Sequence, residues 1–246
     1  MENVLLITLS RQMTLRRELD VIANNVANAQ TNGFKRRLSD SREYQMPVAS
    51  DETFKRGGDR RVSFVVDRGT PLDTSLGQLE PTGNPLDAAI NGDAYFKVQT
   101  PQGERYTRNG AMMVNARGEL VNSDGHVMMG EQGVFQIANT ERDLRVATDG
   151  SITSSAGNRG KLTLVRFPNQ QVLENAGANT FTTKVQPEPA LQARIQSGFV
   201  ERSNVSPVVE ISRMLEVTRQ YQNIANMMGR ADELRRSAIQ KLGEPI

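Results

Sequence analysis

Cysteine and tryptophan are absent from this 246-residue chain, and histidine occurs once, at position 126. Without cysteine there is no disulfide framework, no thiol nucleophile and no thiolate ligand for zinc or an iron–sulfur cluster. With His126 alone, a metal site built from paired histidines is excluded, and a Ser-His-Asp triad would have to hang on that one residue. No run of apolar residues approaches the length needed to span a bilayer. The N-terminal stretch is apolar but opens with Glu2 in place of a basic region, Arg11 and Arg16-Arg17 follow, and no small-residue cleavage site is present. A cleavable secretory signal is therefore not expected. Charge of one sign is lacking too: 30 Lys and Arg stand against 28 Asp and Glu, and a net charge of +2 is too small to imply a nucleic-acid partner. Hydrophobic residues make up 37% and aromatics 5% of the chain, which suits an elongated, thinly cored molecule better than one globule. A charged fraction of 24% is that of a folded protein.

Glycine and proline are absent from the first 32 residues and sparse at the other end, where only Gly229 and Gly243 lie between Pro207 and Pro245. The first glycine is Gly33 and the first proline Pro47, whereas eleven of the twenty glycines fall between Gly83 and Gly160. Helix-permissive ends therefore flank a turn-rich middle. At the N-terminal end Leu5, Leu9, Leu15, Leu19, Ile22 and Val26 recur at mostly three- and four-residue steps, the stripe of an amphipathic helix. That helix is expected to stop near Ala29, before Gln30-Thr31-Asn32-Gly33. At the C-terminal end Ser206 can cap a second helix, Pro207 fits its first position, and Glu210 lies near the start, where the dipole favours an anion. Val208, Ile211, Leu215, Tyr221, Ile224 and Met228 are expected to line its apolar face. At 1.5 Å per residue the helices would be roughly 40 and 50 Å long, with narrow seams that need partners. They can pack on each other, leaving an outer stripe for further copies of the chain.

The middle alternates as β-strands do, in short runs such as 94–98, 105–107, 111–114, 127–129 and 162–167. Between them stand Asn91-Gly92, Asn109-Gly110, Asp124-Gly125 and Asp149-Gly150, dipeptides that supply positive φ for tight hairpins. An antiparallel meander or small barrel is expected. The fold class expected is α+β: long N- and C-terminal helices forming a coiled-coil-like domain, a central antiparallel β-rich domain and extended connectors. In residue terms, 1–34 and 206–246 make a helical assembly domain, 35–75 and 181–205 an extended connecting domain, and 76–180 a β-rich outer domain.

Candidate chemistry is thin. Gly157-Asn158-Arg159-Gly160-Lys161 fails as a phosphate loop because Ser155 stands where the leading glycine belongs and Leu162 where Ser or Thr belongs. It is expected to be a turn. His126 follows a turn signal and reads as a surface residue. The basic clusters Lys35-Arg36-Arg37, Arg56 and Arg60-Arg61 are interleaved with Asp40, Asp51, Glu52 and Asp59, as on a solvated face. No catalytic residue, metal ligand or cofactor site is expected, so the chain does not read as an enzyme. A binding module in which Tyr95, Phe96 and Tyr106 present a ligand platform, with the helices merely oligomerising it, is the alternative class.

Three separated motifs are more specific. Ala23-Asn24-Asn25-Val26-Ala27-Asn28 followed by Thr31-Asn32-Gly33-Phe34-Lys35 resembles the N-terminal motif of the bacterial flagellar axial proteins of rod and hook. Gly198-Phe199-Val200-Glu201-Arg202-Ser203-Asn204-Val205, with Glu210 and Arg219-Gln220-Tyr221, resembles the closing motif of that family. Residues Thr82 to Asp93 and Tyr106-Thr107-Arg108-Asn109-Gly110 are similar to its middle. The resemblance implies a structural subunit of the basal-body rod that assembles helically through its terminal helices into a drive shaft. The chain's length resembles proximal-rod members, with the distal-rod type as the alternative. It further implies copies of the chain and other rod proteins as partners, type III export without a cleavable signal, a periplasmic location in the basal body, and neither nucleic acid nor membrane insertion. Ala23, Asn24, Asn25, Ala27, Asn28, Thr31, Gly33, Phe34 and Lys35, and Ser203, Asn204, Val205, Glu210, Arg219 and Tyr221, are the assembly-motif residues it implies.

Overall fold

The opening stretch without glycine or proline forms helix α1, Glu2–Ala27, in a computed structural model that describes residues 2–45 and 63–243. Helix α2, Pro207–Gly243, closes the described chain. Its first residue has no N–H to lose, and the Glu210 N–H donates to Ser206 O at 3.1 Å. The chain divides into two compact units. One comprises the described residues of Met1–Val26, Arg37–Pro71 and Ser206–Ile246; the other comprises Ala27–Arg36 and Leu72–Val205.

In the first unit the helices meet through Leu15, Ile22 and Val217, each less than 5% exposed, with Leu19, Val26, Met214, Tyr221 and Ile224 packed around them. A fully buried aliphatic side chain of this kind contributes about 1.5–3 kcal/mol. This patch corrects the expectation of a coiled-coil-like domain of long helices. The described residues hold two helices, about a quarter of the chain, beside a large antiparallel β-rich body. Their mutual apolar contact is local where a coiled coil needs an unbroken seam. Leu9, Val208, Ile211 and Leu215 are 45–76% exposed, and Met228 is half-buried. The side chain of Leu5 lies outside the described residues. The register of α2 is also not the one its early apolar residues suggest: its inward positions are Glu210, Met214 and Val217. A carboxylate takes a place that hydrophobicity alone would give to Ile211, because Glu210 has a hydrogen-bonding partner on α1, described below.

The same unit holds a ladder in which Asp40–Gln45 pairs antiparallel with Ser63–Gly69, with a bulge at Asp40/Ser41. It stands where the sequence suggested irregular connectors. Arg56, Arg60 and Arg61 lie outside the described residues.

The second unit is built around strand Tyr95–Thr100. It pairs antiparallel with Gly103–Thr107, Val127–Gly130 and Leu164–Arg166. Separate ladders join Ala88–Asn91 to Arg194–Ser197 and Leu79–Pro81 to Phe199–Glu201. The residues Gly157–Lys161 form a strand paired with Ser151–Ser154, and the expected turn lies just before it. One core cluster gathers Ile90, Phe96, Val98, Met112, Leu120, Met128, Phe135 and Ile152; another gathers Tyr95, Tyr106, Phe167, Leu173 and Phe181. Tyr95, Phe96 and Tyr106 are at most 7% exposed, so the expected ligand platform is core.

The turn glycines divide into two kinds. Gly92, Gly125 and Gly150 take φ of 118°, 84° and 90°, as their Asn-Gly and Asp-Gly contexts suggest. Gly110 is needed for space instead: a Cβ there would lie 1.8 Å from Ala88 O, and the Ala88 N–H donates to Gly110 O at 2.9 Å. Gly110→Ala should therefore destabilise this unit by about 3 kcal/mol, the upper end of overpacking. Gly125→Ala, with open space around it, should cost about 1 kcal/mol for its positive φ. Urea unfolding followed by tyrosine fluorescence measures both, and equal effects would contradict the steric argument.

Candidate functional site

A glutamate buried in a strand needs its charge met where it lies, and Glu201 is 1% exposed at the end of Phe199–Glu201. Lys35 Nζ approaches its Oε1 at 2.6 Å and Arg108 Nε its Oε2 at 3.1 Å. The Gly77 N–H donates to Oε1 at 3.0 Å. Lys35 Nζ also donates to Ser75 O at 2.7 Å. Arg108 donates to Gly92 O and Ala94 O at 2.8 and 2.5 Å and lies over the Tyr95 ring, 5.4 Å from its centroid. Each of these residues is in the β-rich unit. The three motifs therefore meet at one carboxylate: Lys35 from the first, Arg108 from the middle and Glu201 from the last.

The backbone follows the side chains. The Gly33 N–H donates to Glu201 O at 2.6 Å. A Cβ on Gly33 would lie 2.5 Å from the Arg108 carbonyl carbon, and its φ is 69°, so glycine is required twice over. Arg202 donates to Asn32 Oδ1 at 3.0 Å, and Asn179 Nδ2 donates to Asn32 O at 2.6 Å. Phe34 is buried beside them in sequence at 4% exposure. Asn204 works as a two-sided clip: its Oδ1 accepts the Arg36 N–H at 2.7 Å, and its Nδ2 donates to Asp73 O and Ser75 O at 2.9 and 3.1 Å. Val205 is buried and Ser203 Oγ accepts the Val205 N–H at 3.2 Å.

The helical unit has its own asparagine clip. Asn25, 1% exposed on α1, accepts the Arg37 N–H at 2.9 Å and donates to Arg37 O at 2.9 Å. Its Nδ2 also donates to Glu210 Oε2 on α2 at 3.2 Å. Nearby, Arg213 pairs with Glu18 at 2.8 Å. Of the other expected motif residues, Thr31 donates to Asn28 Oδ1 at 3.3 Å, Asn24 and Tyr221 are half-buried, and Ala23, Ala27 and Arg219 are exposed. Those exposed residues are not drawn into either polar cluster.

Two members of the carboxylate site, Arg108 and Glu201, were not among the expected motif residues, although both stand in the motif stretches. The available signal is a charged residue at the end of an apolar run, Phe199-Val200-Glu201, which a solvent-facing position would explain equally well. His126 is half-buried, with its N–H donating to Asn122 Oδ1 at 2.8 Å. Among the described residues no group of three or more His, Asp and Glu could hold a metal ion, and no helix is long and apolar enough to cross a membrane.

Burial holds the Lys35 ammonium below its ordinary value of 10.5; Glu201 opposes the shift and Arg108 adds to it. Burial also pushes the Tyr95 hydroxyl up to about 12, with Arg108 acting against it. The cluster holds two cations around one anion, so the partners are unequal. Glu201→Gln leaves both cations unpaired and should cost about 3–5 kcal/mol. Lys35→Met leaves the Arg108–Glu201 pair and should cost clearly less. Because the folded value of Lys35 is depressed, the folded chain releases this proton first as pH rises, and the unfolded chain then binds more protons. Wild-type stability should rise relative to Lys35→Met just below pH 10.5 and level off above it. Tyr95 has the opposite slope, losing stability from pH 10 towards 12, and cancels in that difference. Urea titrations of the three chains across pH test both statements. A smaller loss for Glu201→Gln than for Lys35→Met would refute the assignment.

Comparison with known proteins matches the same segments. A family model described as flagella basal body rod protein matches residues 5–35, flagellar hook protein FlgE/F/G D1 domain matches 89–154, and flagellar basal body rod FlgEFG protein C-terminal matches 196–241. The chain is 40% identical to the flagellar basal-body rod protein FlgF of Caulobacter vibrioides and 34% identical to that of Mesorhizobium japonicum, covering 99% of both chains in each case. It is 32% identical to the flagellar basal-body rod protein FlgG of Buchnera aphidicola subsp. Baizongia pistaciae, over 91% of this chain and 92% of that one. With Lys35, Arg108 and Glu201 each inside a matched segment, the chain belongs to the family of flagellar basal-body rod proteins.

Proposed function

We propose that this chain is a structural, non-catalytic subunit of the flagellar basal-body rod, in its proximal part, where it transmits motor torque towards the hook. The full-length likeness to rod proteins supports this reading. The observation that carries the mode of action is the exposed apolar set on the helical unit: Leu9, Met13, Val208, Val209, Ile211 and Leu215 are all at least 45% exposed. Residues of this kind on two helices are suited to burial against neighbouring subunits, and helically repeated contacts of one surface with another give an open-ended shaft. Residues 1–34 and 206–246 serve as the assembly domain in this reading. The asparagine clips act within each unit: Asn25 holds Arg37 in the helical unit and Asn204 holds Arg36 in the β-rich unit. Residues 35–75 and 181–205 act as connecting segments, and 76–180 as the outer domain.

The partners are copies of the chain and other rod proteins. The site of action is the periplasmic rod, reached through the flagellar type III export apparatus. A chain with no cysteine suits such a compartment, since mispaired disulfides cannot form there.

Removal of the chain should abolish swimming and leave basal bodies without a complete rod in electron micrographs, and the wild-type chain should restore both. Normal rods without the chain would overturn the proposal. Leu215→Asp should leave an exported, folded protein that fails to restore swimming, whereas Leu215→Met should restore it. Full motility with Leu215→Asp would refute the role given to the exposed helix residues.

A further inference from the structure

Three Asn-Gly pairs occur in the β-rich unit, and their surroundings differ chemically. An asparagine before glycine is prone to cyclise, because the unhindered glycine nitrogen can attack the side-chain amide. At Asn32-Gly33 that nitrogen donates its hydrogen to Glu201 O at 2.6 Å, and Asn32 Oδ1 is held by Arg202 at 3.0 Å. At Asn109-Gly110 the asparagine is 1% exposed. Its Nδ2 donates to Ser123 and Asp124 at 2.8 and 2.7 Å, and its Oδ1 accepts the Ala111 N–H at 3.2 Å. At Asn91-Gly92 none of this holds. Asn91 is the exposed last residue of its strand, and its side chain makes no hydrogen bond among the described residues. The two residues after it form a bend.

We propose that Asn91 is a site of spontaneous deamidation in the folded protein, with solvent water as the co-reactant. The Gly92 nitrogen attacks Asn91 Cγ, the N–Cγ bond forms, the Cγ–Nδ2 bond breaks, and ammonia leaves with the amide proton. Water then opens the cyclic imide at either carbonyl and yields aspartate or isoaspartate. Both products add a carboxylate across from Arg194, the register partner of Asn91. The isoaspartyl product also inserts a carbon into the main chain directly before the Gly92 and Ala94 carbonyls that hold the Arg108 guanidinium. The modification therefore acts on the anchor of the buried charge cluster.

The test is peptide mapping by mass spectrometry of the full chain after incubation in mildly alkaline buffer, with isoaspartate quantified by enzymatic methyl labelling. In the native chain conversion at Asn91 should be at least about tenfold faster than at Asn32 or Asn109. In urea all three should convert, and the native Asn91→Gln chain should show no isoaspartate in that peptide. An intact Asn91 under native conditions, or native conversion at Asn32 or Asn109 at the same rate, would overturn the proposal.

Discussion

A single carboxylate, Glu201, lies buried between two cations, and the β-rich unit is arranged around it. Ionised groups withdrawn from water are costly unless each is paired. The pairing here reaches across the sequence: Lys35, Arg108 and Glu201 are brought together within 3.1 Å contacts. The arrangement is demanding because the charges do not cancel. The excess cation is met by dipoles, the carbonyls of Ser75, Gly92 and Ala94, and by the Tyr95 ring. Only Tyr95 of these groups lies in a strand; the three carbonyls stand in the segments between strands, and the pairing of the flanking strands positions them. Charge burial thus makes the segments interdependent and favours one arrangement of the chain over its alternatives.

Asparagine does comparable work on the main chain. Its amide can donate and accept at once, so it can imitate a strand partner for a peptide group. Asn204 receives the Arg36 N–H in the β-rich unit and Asn25 receives the Arg37 N–H in the helical unit. Consecutive residues are therefore held by separate units, each satisfying the backbone where regular structure is interrupted. That is a physical reason for asparagines at Asn25 and Asn204 that helix capping does not provide. Arg213 and Glu18 add an ion pair between α1 and α2, but a half-exposed arginine leaves that pair screened by solvent, and it adds little beside the apolar patch.

The helical unit has the opposite character. Leu15, Ile22 and Val217 form a small closed patch, while larger apolar surface on both helices stays open to solvent. In an isolated chain such surface is a liability. In the rod role proposed above, it is the surface that other chains would cover. The β-rich unit, with two extensive clusters of its own, carries its core within itself.

The residue pattern alone determined where helix gives way to β structure, because glycine and proline spacing and apolar periodicity are local properties. It also marked the three motifs and the tight turns at Asp124-Gly125 and Asp149-Gly150. Tertiary structure decided what local pattern could not carry. The inward face of α2 includes Glu210 because Asn25 waits across from it, whereas periodicity places only apolar residues inward. Gly110 answers to the nearness of Ala88, not to a turn, and Tyr95, Phe96 and Tyr106 face a core that exists only when several strands assemble. Above all, Glu201 and Arg108 read in sequence like any other charged residues. Their meaning depends on contacts 93 residues apart in the chain, and burial, which turns a charge from solvated ornament into structural necessity, is a property of the folded whole.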